Sequence, residues 1–219
     1  MWAAANALTV LGATRDLRCQ LRLASFDHTL EPLRFALQHA GELGYFGNCE
    51  AWVAALLADG QVERRHHEQS VRWDVLVGDF PTWLRTAQPA VPAPHAILFD
   101  AFSPAKNPEM WTLPLFTQLF RRLDPARPCA RPTSSRATWL RVTWLLAGFY
   151  VGVGHATGEK EETTLAANTP DLLDEPLNRK WLERARRSTS AEPLHEAKYR
   201  QAPLSEETWE RLCAHPQFR

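Results

Sequence analysis

The sequence predicts an α/β fold in which a largely parallel sheet ends in an antiparallel hairpin. Three observations lead there. Predicted strands and helices alternate through the first two thirds of the chain, as in parallel sheets. Two short runs around Gly158, residues 150–155 and 163–167, then read as an antiparallel pair. Three predicted strands each stop at an aspartate, Asp27, Asp79 and Asp100, and ligands of such sheets bind beyond the carboxyl ends of the strands.

Residues 2–13 are rich in Ala and Leu, with no Gly or Pro before Gly12, and read as a short buried helix. Residues 21–26 alternate as a strand up to Asp27. Residues 30–43 read as a helix with Pro32 in its first turn and Leu33, Leu37 and Ala40 on one face. Residues 50–58 form a second helix. Residues 62–70 are polar and read as a loop, and residues 71–77 as a strand ending at Gly78-Asp79. A helix over 80–87 leads to a proline-rich connector, 89–94. The apolar run 95–99 reads as a buried central strand. After a loop at 103–108 come helices over 113–123 and 136–147. The two prolines in 128–133 make any strand there short or frayed, because proline removes a ladder hydrogen bond. The tail is polar, with helical pieces near 177–187 and 205–214.

The chain has 219 residues, enough for one domain with a real core and a short tail. Lys plus Arg equals Asp plus Glu, so overall charge does not argue for a nucleic-acid partner and only local clusters can. One cluster holds Arg121, Arg122, Arg127, Arg131, Arg136 and Arg141 against Asp124. A second holds Arg179, Lys180, Arg184, Arg186 and Arg187. Either is an RNA footprint or a solvated helix face. Cys19, Cys49, Cys129 and Cys213 are scattered, without metal-ligand spacing, and no metal is expected. His66, His67 and His155 also lack ligand spacing. The nine tryptophans read chiefly as packing. No apolar run approaches the roughly 20 residues of a membrane span. A cytoplasmic protein without a membrane partner is the expectation, and a monomer is compatible with it.

The segment Phe99-Asp100-Ala101-Phe102-Ser103-Pro104-Ala105-Lys106-Asn107-Pro108-Glu109-Met110-Trp111 closely resembles the signature D-[GA]-F-[SA]-P-x-K-N-P-[DE]-M-W of the MnmC-type methyltransferases. Ser25-Phe26-Asp27, Val77-Gly78-Asp79-Phe80, Leu145-Leu146-Ala147-Gly148-Phe149 and Gly158-Glu159-Lys160-Glu161-Glu162-Thr163 are similar to other segments of that family. In the tail, Leu182 to Arg187, Pro193-Leu194 and His215-Pro216-Gln217-Phe218 are similar to segments of stand-alone members. The resemblance implies a Rossmann-like S-adenosylmethionine methyltransferase sheet. It implies N-methylation of the 5-aminomethyl group on the wobble uridine of tRNA. It divides the chain into a methyltransferase domain, 1–171, and a helical extension, 172–219. It also implies a first strand and a glycine-rich G-x-G-x-G-x-N loop ahead of the helix at 2–13. Either the true start lies upstream of Met1 or the chain is a degraded copy. The flavin-dependent oxidase domain fused to some members is not expected.

The resemblance gives Asp100 the role of proton acceptor for the substrate amine, Asp27 the cofactor ribose, and Asp79 and Phe80 the adenine. Phe102, Pro104, Lys106 and Asn107 fall to the substrate. Each has a plainer reading. An aspartate after a strand often caps the next helix or makes a turn, Asp100 can serve only to brace its loop, and Lys106 and Asn107 can belong to a solvated loop. Trp111 reads as packing. Two further functions stay open: methylation of another amine, and a non-catalytic remnant that binds RNA or a protein.

Overall fold

A computed structural model of the chain describes residues 4–86, 91–156, 158 and 162–219. Residues 2 and 3 of the expected first helix, residue 87 of the expected helix over 80–87, residues 89 and 90 of the connector and residues 159–161 of the late family-like segment lie outside the described residues. The chain forms two compact units, Met1–Val91 and Pro92–Arg219.

The first unit contains α1 (Ala5–Thr14), β1 (Gln20–Asp27), α2 (Glu31–Gln38), α3 (Ala40–Leu43), α4 (Glu50–Asp59), β2 (Gln61–His66), β3 (Gln69–Val77) and α5 (Phe80–Arg85). Its sheet has the order β1-β3-β2. β1 and β3 run parallel, in register from Gln20 opposite Ser70 to Asp27 opposite Val77. β2 pairs antiparallel with β3 through the two-residue turn His67-Glu68, so the loop expected at 62–70 is a hairpin. Its strand carries Glu63, Arg64 and Arg65, all exposed, and a charged edge strand has no apolar alternation to betray it. The helix expected over 30–43 is two helices, broken at His39, whose φ of −108° and ψ of 24° leave the helical region. Along β3, residues 69–73 alternate buried and exposed, and burial then fades until Val77 is 57% exposed. The strand therefore starts in the core and ends at a rim. Trp73, fully buried, donates from Nε1 to Ser25 Oγ at 3.0 Å and ties β3 to β1. Val53, Leu56, Leu33 and Leu11 pack in the same core, each worth roughly 1.5–3 kcal/mol when fully buried.

The second unit contains α6 (Leu113–Arg121), β4 (Ala130–Thr133), α7 (Thr138–Ala147), β5 (Tyr150–Gly154), β6 (Thr163–Ala167), β7 (Glu175–Pro176), α8 (Arg179–Arg186) and α9 (Glu206–Cys213). The sheet order is β4-β6-β5-β7, with every neighbouring pair antiparallel. The expected late hairpin is β5 and β6. β4 is four residues long and contains Pro132, as the prolines foretell. The expected central strand at 95–99 is not a regular strand. It makes one parallel bridge, Ala96 to Ala130, with Ile97 N donating to Ala130 O at 2.9 Å and Ala130 N to His95 O at 3.0 Å. Leu98 is 43% exposed. An apolar run encodes willingness to be buried, but a central strand also needs a ladder on both sides. Gly148, φ +112°, ends α7 where a Cβ would lie 2.8 Å from the Phe120 ring. The tail is stapled to this sheet: Gln217 accepts from Val151 N at 2.8 Å and donates to the Val151 and Leu177 carbonyls at 2.7 and 2.8 Å.

Candidate functional site

The carboxyl ends of β1 and β3 bring Asp27 and Asp79 to one rim. Gly78 N donates to Asp27 O at 2.8 Å, one step past the last strand pair. Gly78 then takes φ +150°, which a side-chain-bearing residue rarely adopts, and turns the chain into α5. Asp79 is the N-cap of α5, its Oδ2 accepting from Thr82 N at 2.9 Å. Hydrogen bonding from Thr82 holds its carboxyl below the usual range, against a small opposing effect of burial, and His28 and Arg85 add to the lowering. His28 Nε2 lies 3.9 Å from Asp79 Oδ1. Thr29 N reaches Asp27 Oδ1 at a long 3.5 Å. The plainer capping reading thus holds for Asp79.

Beside the two acids stands an aromatic wall that sequence reading found only in part. Phe26, next to Asp27, meets Phe80 at 5.0 Å and Trp83 at 4.5 Å between ring centroids, and Phe80 and Trp83 are nearly parallel at 6.0 Å. Phe80 was singled out; Phe26 and Trp83 were not. The signal for Trp83 was its i+3 spacing from Phe80 on one helix face. A carboxylate pair next to exposed-edge aromatic rings suits a nucleoside, with the rings against the base and the acids accepting from hydroxyls and an exocyclic amine. A hollow of about 420 Å³, lined by Arg18, Cys19, Gln20, Arg65, Glu68 and Ser70, is at the other end of the sheet. Seven strand steps from Gln20 to Asp27 amount to roughly 23 Å, so that hollow is a separate feature.

In the second unit Asp100 is exposed and follows Phe99 at the end of the bridged segment. The loop after it is pinned by Trp111, whose Nε1 donates to Phe102 O at 2.7 Å, and by Ser103 O, which accepts from the amides of Lys106 and Asn107, each at 2.9 Å. This leaves the Phe102 ring 58% exposed, with Lys106 exposed and Pro104 half-buried. Asn107 turns inward, and its Oδ1 is buried without a hydrogen-bond partner. Trp111 is packing, as expected, with Phe99, Phe116 and Trp139 rings at 5.4, 6.4 and 5.8 Å.

The arginine cluster at 121–141 is not one surface. Arg131 and Arg141 are each 1% exposed, which removes them from any RNA footprint. Arg141 donates to Glu162 Oε1 at 2.6 Å, Thr164 Oγ1 at 2.9 Å and Thr163 O at 3.0 Å, joining α7 to β6. Arg131 lies 4.5, 4.5 and 4.0 Å from the ring centres of Phe99, Phe116 and Trp144. Among the described residues no His, Cys, Asp and Glu cluster could hold a metal ion, and no helix is long and apolar enough to cross a membrane.

Residues 47–169, more than half of the chain, match a family model described as S-adenosyl-L-methionine-dependent methyltransferase. The chain is 36% identical over 160 residues to the tRNA 5-methylaminomethyl-2-thiouridine biosynthesis bifunctional protein MnmC of Aeromonas hydrophila, covering 65% of this chain and 22% of that protein. The protein of the same name from Pseudomonas savastanoi is 37% identical over 93 residues, 41% of this chain and 14% of its own. The chain therefore spans less than a quarter of the length of these curated relatives. The crystal structure of MNMC2 from Aquifex aeolicus superposes with a TM-score of 0.54 at 20% identity, covering 98% of this chain and 72% of that one, a likeness of fold.

Proposed function

Since the chain belongs to a family of S-adenosyl-L-methionine-dependent methyltransferases, we propose that it methylates the 5-aminomethyl group of the wobble uridine in tRNA. The observation that carries this reading is the dozen-residue run from Asp100 to Trp111, together with relatives whose names concern that modified uridine. Residues 1–171 supply the methyltransferase portion and 172–219 a helical extension. The setting is the cytoplasm, where tRNA is the partner.

The first unit's rim fits the cofactor. Asp27 accepts from ribose hydroxyls, Asp79 accepts from the adenine amine, and Phe80, with Phe26 and Trp83, packs against the base. When bound, S-adenosylmethionine supplies an electrophilic methyl group. The protein's part is to orient the acceptor nitrogen and keep its lone pair free, and placement of this kind is worth roughly 7–11 kcal/mol of barrier. The Asp100 carboxylate accepts a hydrogen bond from the substrate amine and takes the proton that methylation makes acidic. Phe102 and Pro104 wall the acceptor, Lys106 reaches its phosphate or base, and Asn107, turned inward, holds the loop through its backbone amide to Ser103 O.

The test is transfer of radiolabelled methyl from S-adenosylmethionine to tRNA carrying 5-aminomethyluridine, beside the same tRNA without that group. Incorporation confined to the aminomethylated tRNA, and at least a hundredfold slower for Asp100→Asn, is expected. Label that goes equally to small amines, or an Asp100→Asn variant of normal turnover, defeats the assignment.

A further inference from the structure

α6 shows two faces. Leu115, Phe116 and Leu119 are buried, whereas Pro114 and Arg121 are exposed and Thr117 and Gln118 half-buried. The outward residues stand at i, i+3, i+4 and i+7, one stripe of a helix. This stripe forms one wall of a groove of about 300 Å³, completed by Leu113, His195 and Arg211. The groove lies wholly within the second unit. Residues remote in sequence meet there because Leu194, next to His195, bridges to Thr112 and accepts from Leu113 N at 2.7 Å.

Its two arginines are not held in salt bridges: among the described residues neither Arg121 nor Arg211 has a carboxylate within 4.0 Å, although Arg15, Arg22, Arg34, Arg72, Arg141 and Arg186 all do. Glu192, three residues before His195, is already committed. It accepts from Ser205 N at 2.9 Å, Ser205 Oγ at 3.1 Å, Thr208 Oγ1 at 2.7 Å and His195 Nε2 at 3.2 Å. It fixes the start of α9 and orients the imidazole, and little of it is left to neutralise a guanidinium. Two guanidinium forks, an imidazole and the Gln118 amide thus line one groove. Guanidinium groups bind phosphate oxygens in pairs.

We propose that this α6–α9 groove is a phosphate-binding notch that seats the backbone of the RNA substrate through Arg121 and Arg211. The inference rests on the reading of tRNA as substrate and adds the place where its backbone is held. It also joins one arginine of the first basic run to a residue, Arg211, outside both runs.

The experiment is fluorescence anisotropy of a labelled anticodon stem-loop RNA with the full chain, at several salt concentrations. Arg121→Ala with Arg211→Ala is expected to weaken binding about tenfold. It should also flatten the plot of log affinity against log salt by roughly 1.4–1.8, two phosphate contacts at about 0.7–0.9 each. The Arg121→Lys, Arg211→Lys pair should recover most of the affinity, and unchanged thermal melting of both variants would exclude misfolding. No binding by the unaltered chain would remove the tRNA reading and this inference with it. Binding that is normal in the double alanine variant but lost in Arg184→Ala with Arg187→Ala would overturn the groove alone. Competition by polyglutamate or inorganic phosphate as effective as RNA at equal charge would also overturn it, since the notch would then serve an acidic protein or a small anion.

Discussion

Replacing Arg131 by Met should leave the protein as stable as before or make it more stable. The guanidinium is 1% exposed, and its Nε and Nη1 are buried without hydrogen-bond partners. Burial pushes its pKa well down. Each unpaired donor costs about 1–3 kcal/mol, and an uncompensated buried ion costs several more. Three aromatic faces within 4.5 Å oppose this, each contributing about 2 kcal/mol at best in a dry site. The two sides come close to cancelling, with the cost somewhat larger. Methionine keeps the unbranched stem, removes the charge and both donors, and regains about 0.3–1.5 kcal/mol per sulfur–aromatic contact. The expected change is a gain of ~0–2 kcal/mol. Arg131→Ala instead leaves a void among the rings and should lose ~2–5 kcal/mol, as large-to-small core changes do. Urea denaturation followed by tryptophan fluorescence ranks the three proteins. The order expected is Met at or above the original, with Ala far below. A Met variant as unstable as the Ala variant would refute the reasoning, because the positive charge itself would then be holding the rings.

Asp79 should separate into two roles. Asp79→Ala loses the α5 cap, at about 1 kcal/mol, and S-adenosylmethionine affinity, whereas Asp79→Ser keeps most of the cap and loses the affinity all the same. Calorimetric titration beside thermal melting distinguishes them, and a serine variant that binds normally would reduce Asp79 to a cap. At the α7–β6 junction, Arg141→Ala should cost ~3–5 kcal/mol, the penalty for breaking a buried pair. Glu162→Gln should cost less, because the guanidinium keeps Thr164 Oγ1 and Thr163 O; equal losses in denaturation would contradict this. For the thiols, burial pushes Cys129 up to about 11 and raises Cys49 as well, while Cys19 and Cys213 are exposed. Because only the thiolate reacts, iodoacetamide at pH 8 should modify two cysteines in the native protein and four in denaturant, counted by mass spectrometry.

The parts of the fold legible in sequence were those fixed by local chemistry. Asp27 and Asp79 announced a rim because each closes an alternating run, and parallel pairing of β1 with β3 makes them neighbours. The β5–β6 hairpin and the short β4 followed from apolar runs, Gly158 and the prolines. What escaped depended on partners remote in sequence. β2 is polar because both its outer face and its free edge meet water, so its strand character comes from pairing with β3. Residues 95–99 have the composition of a central strand, but pairing with Ala130 alone leaves them a single bridge. Arg131 and Arg141 look like Arg121 in the sequence, and only packing reveals that two are interior and one is exposed. The Phe26–Phe80–Trp83 wall needed the turn at Gly78 to bring a strand residue against a helix.

The most direct test of the cofactor rim is photocrosslinking of radiolabelled S-adenosylmethionine to the intact chain, followed by peptide mapping. Label on the peptides holding Phe26-Asp27 or Asp79 to Trp83 is the predicted result, reduced by excess S-adenosylhomocysteine. Label concentrated instead around Arg18 to Gln20 and Arg65 to Ser70, at the opposite end of β1 and β3, would contradict the account.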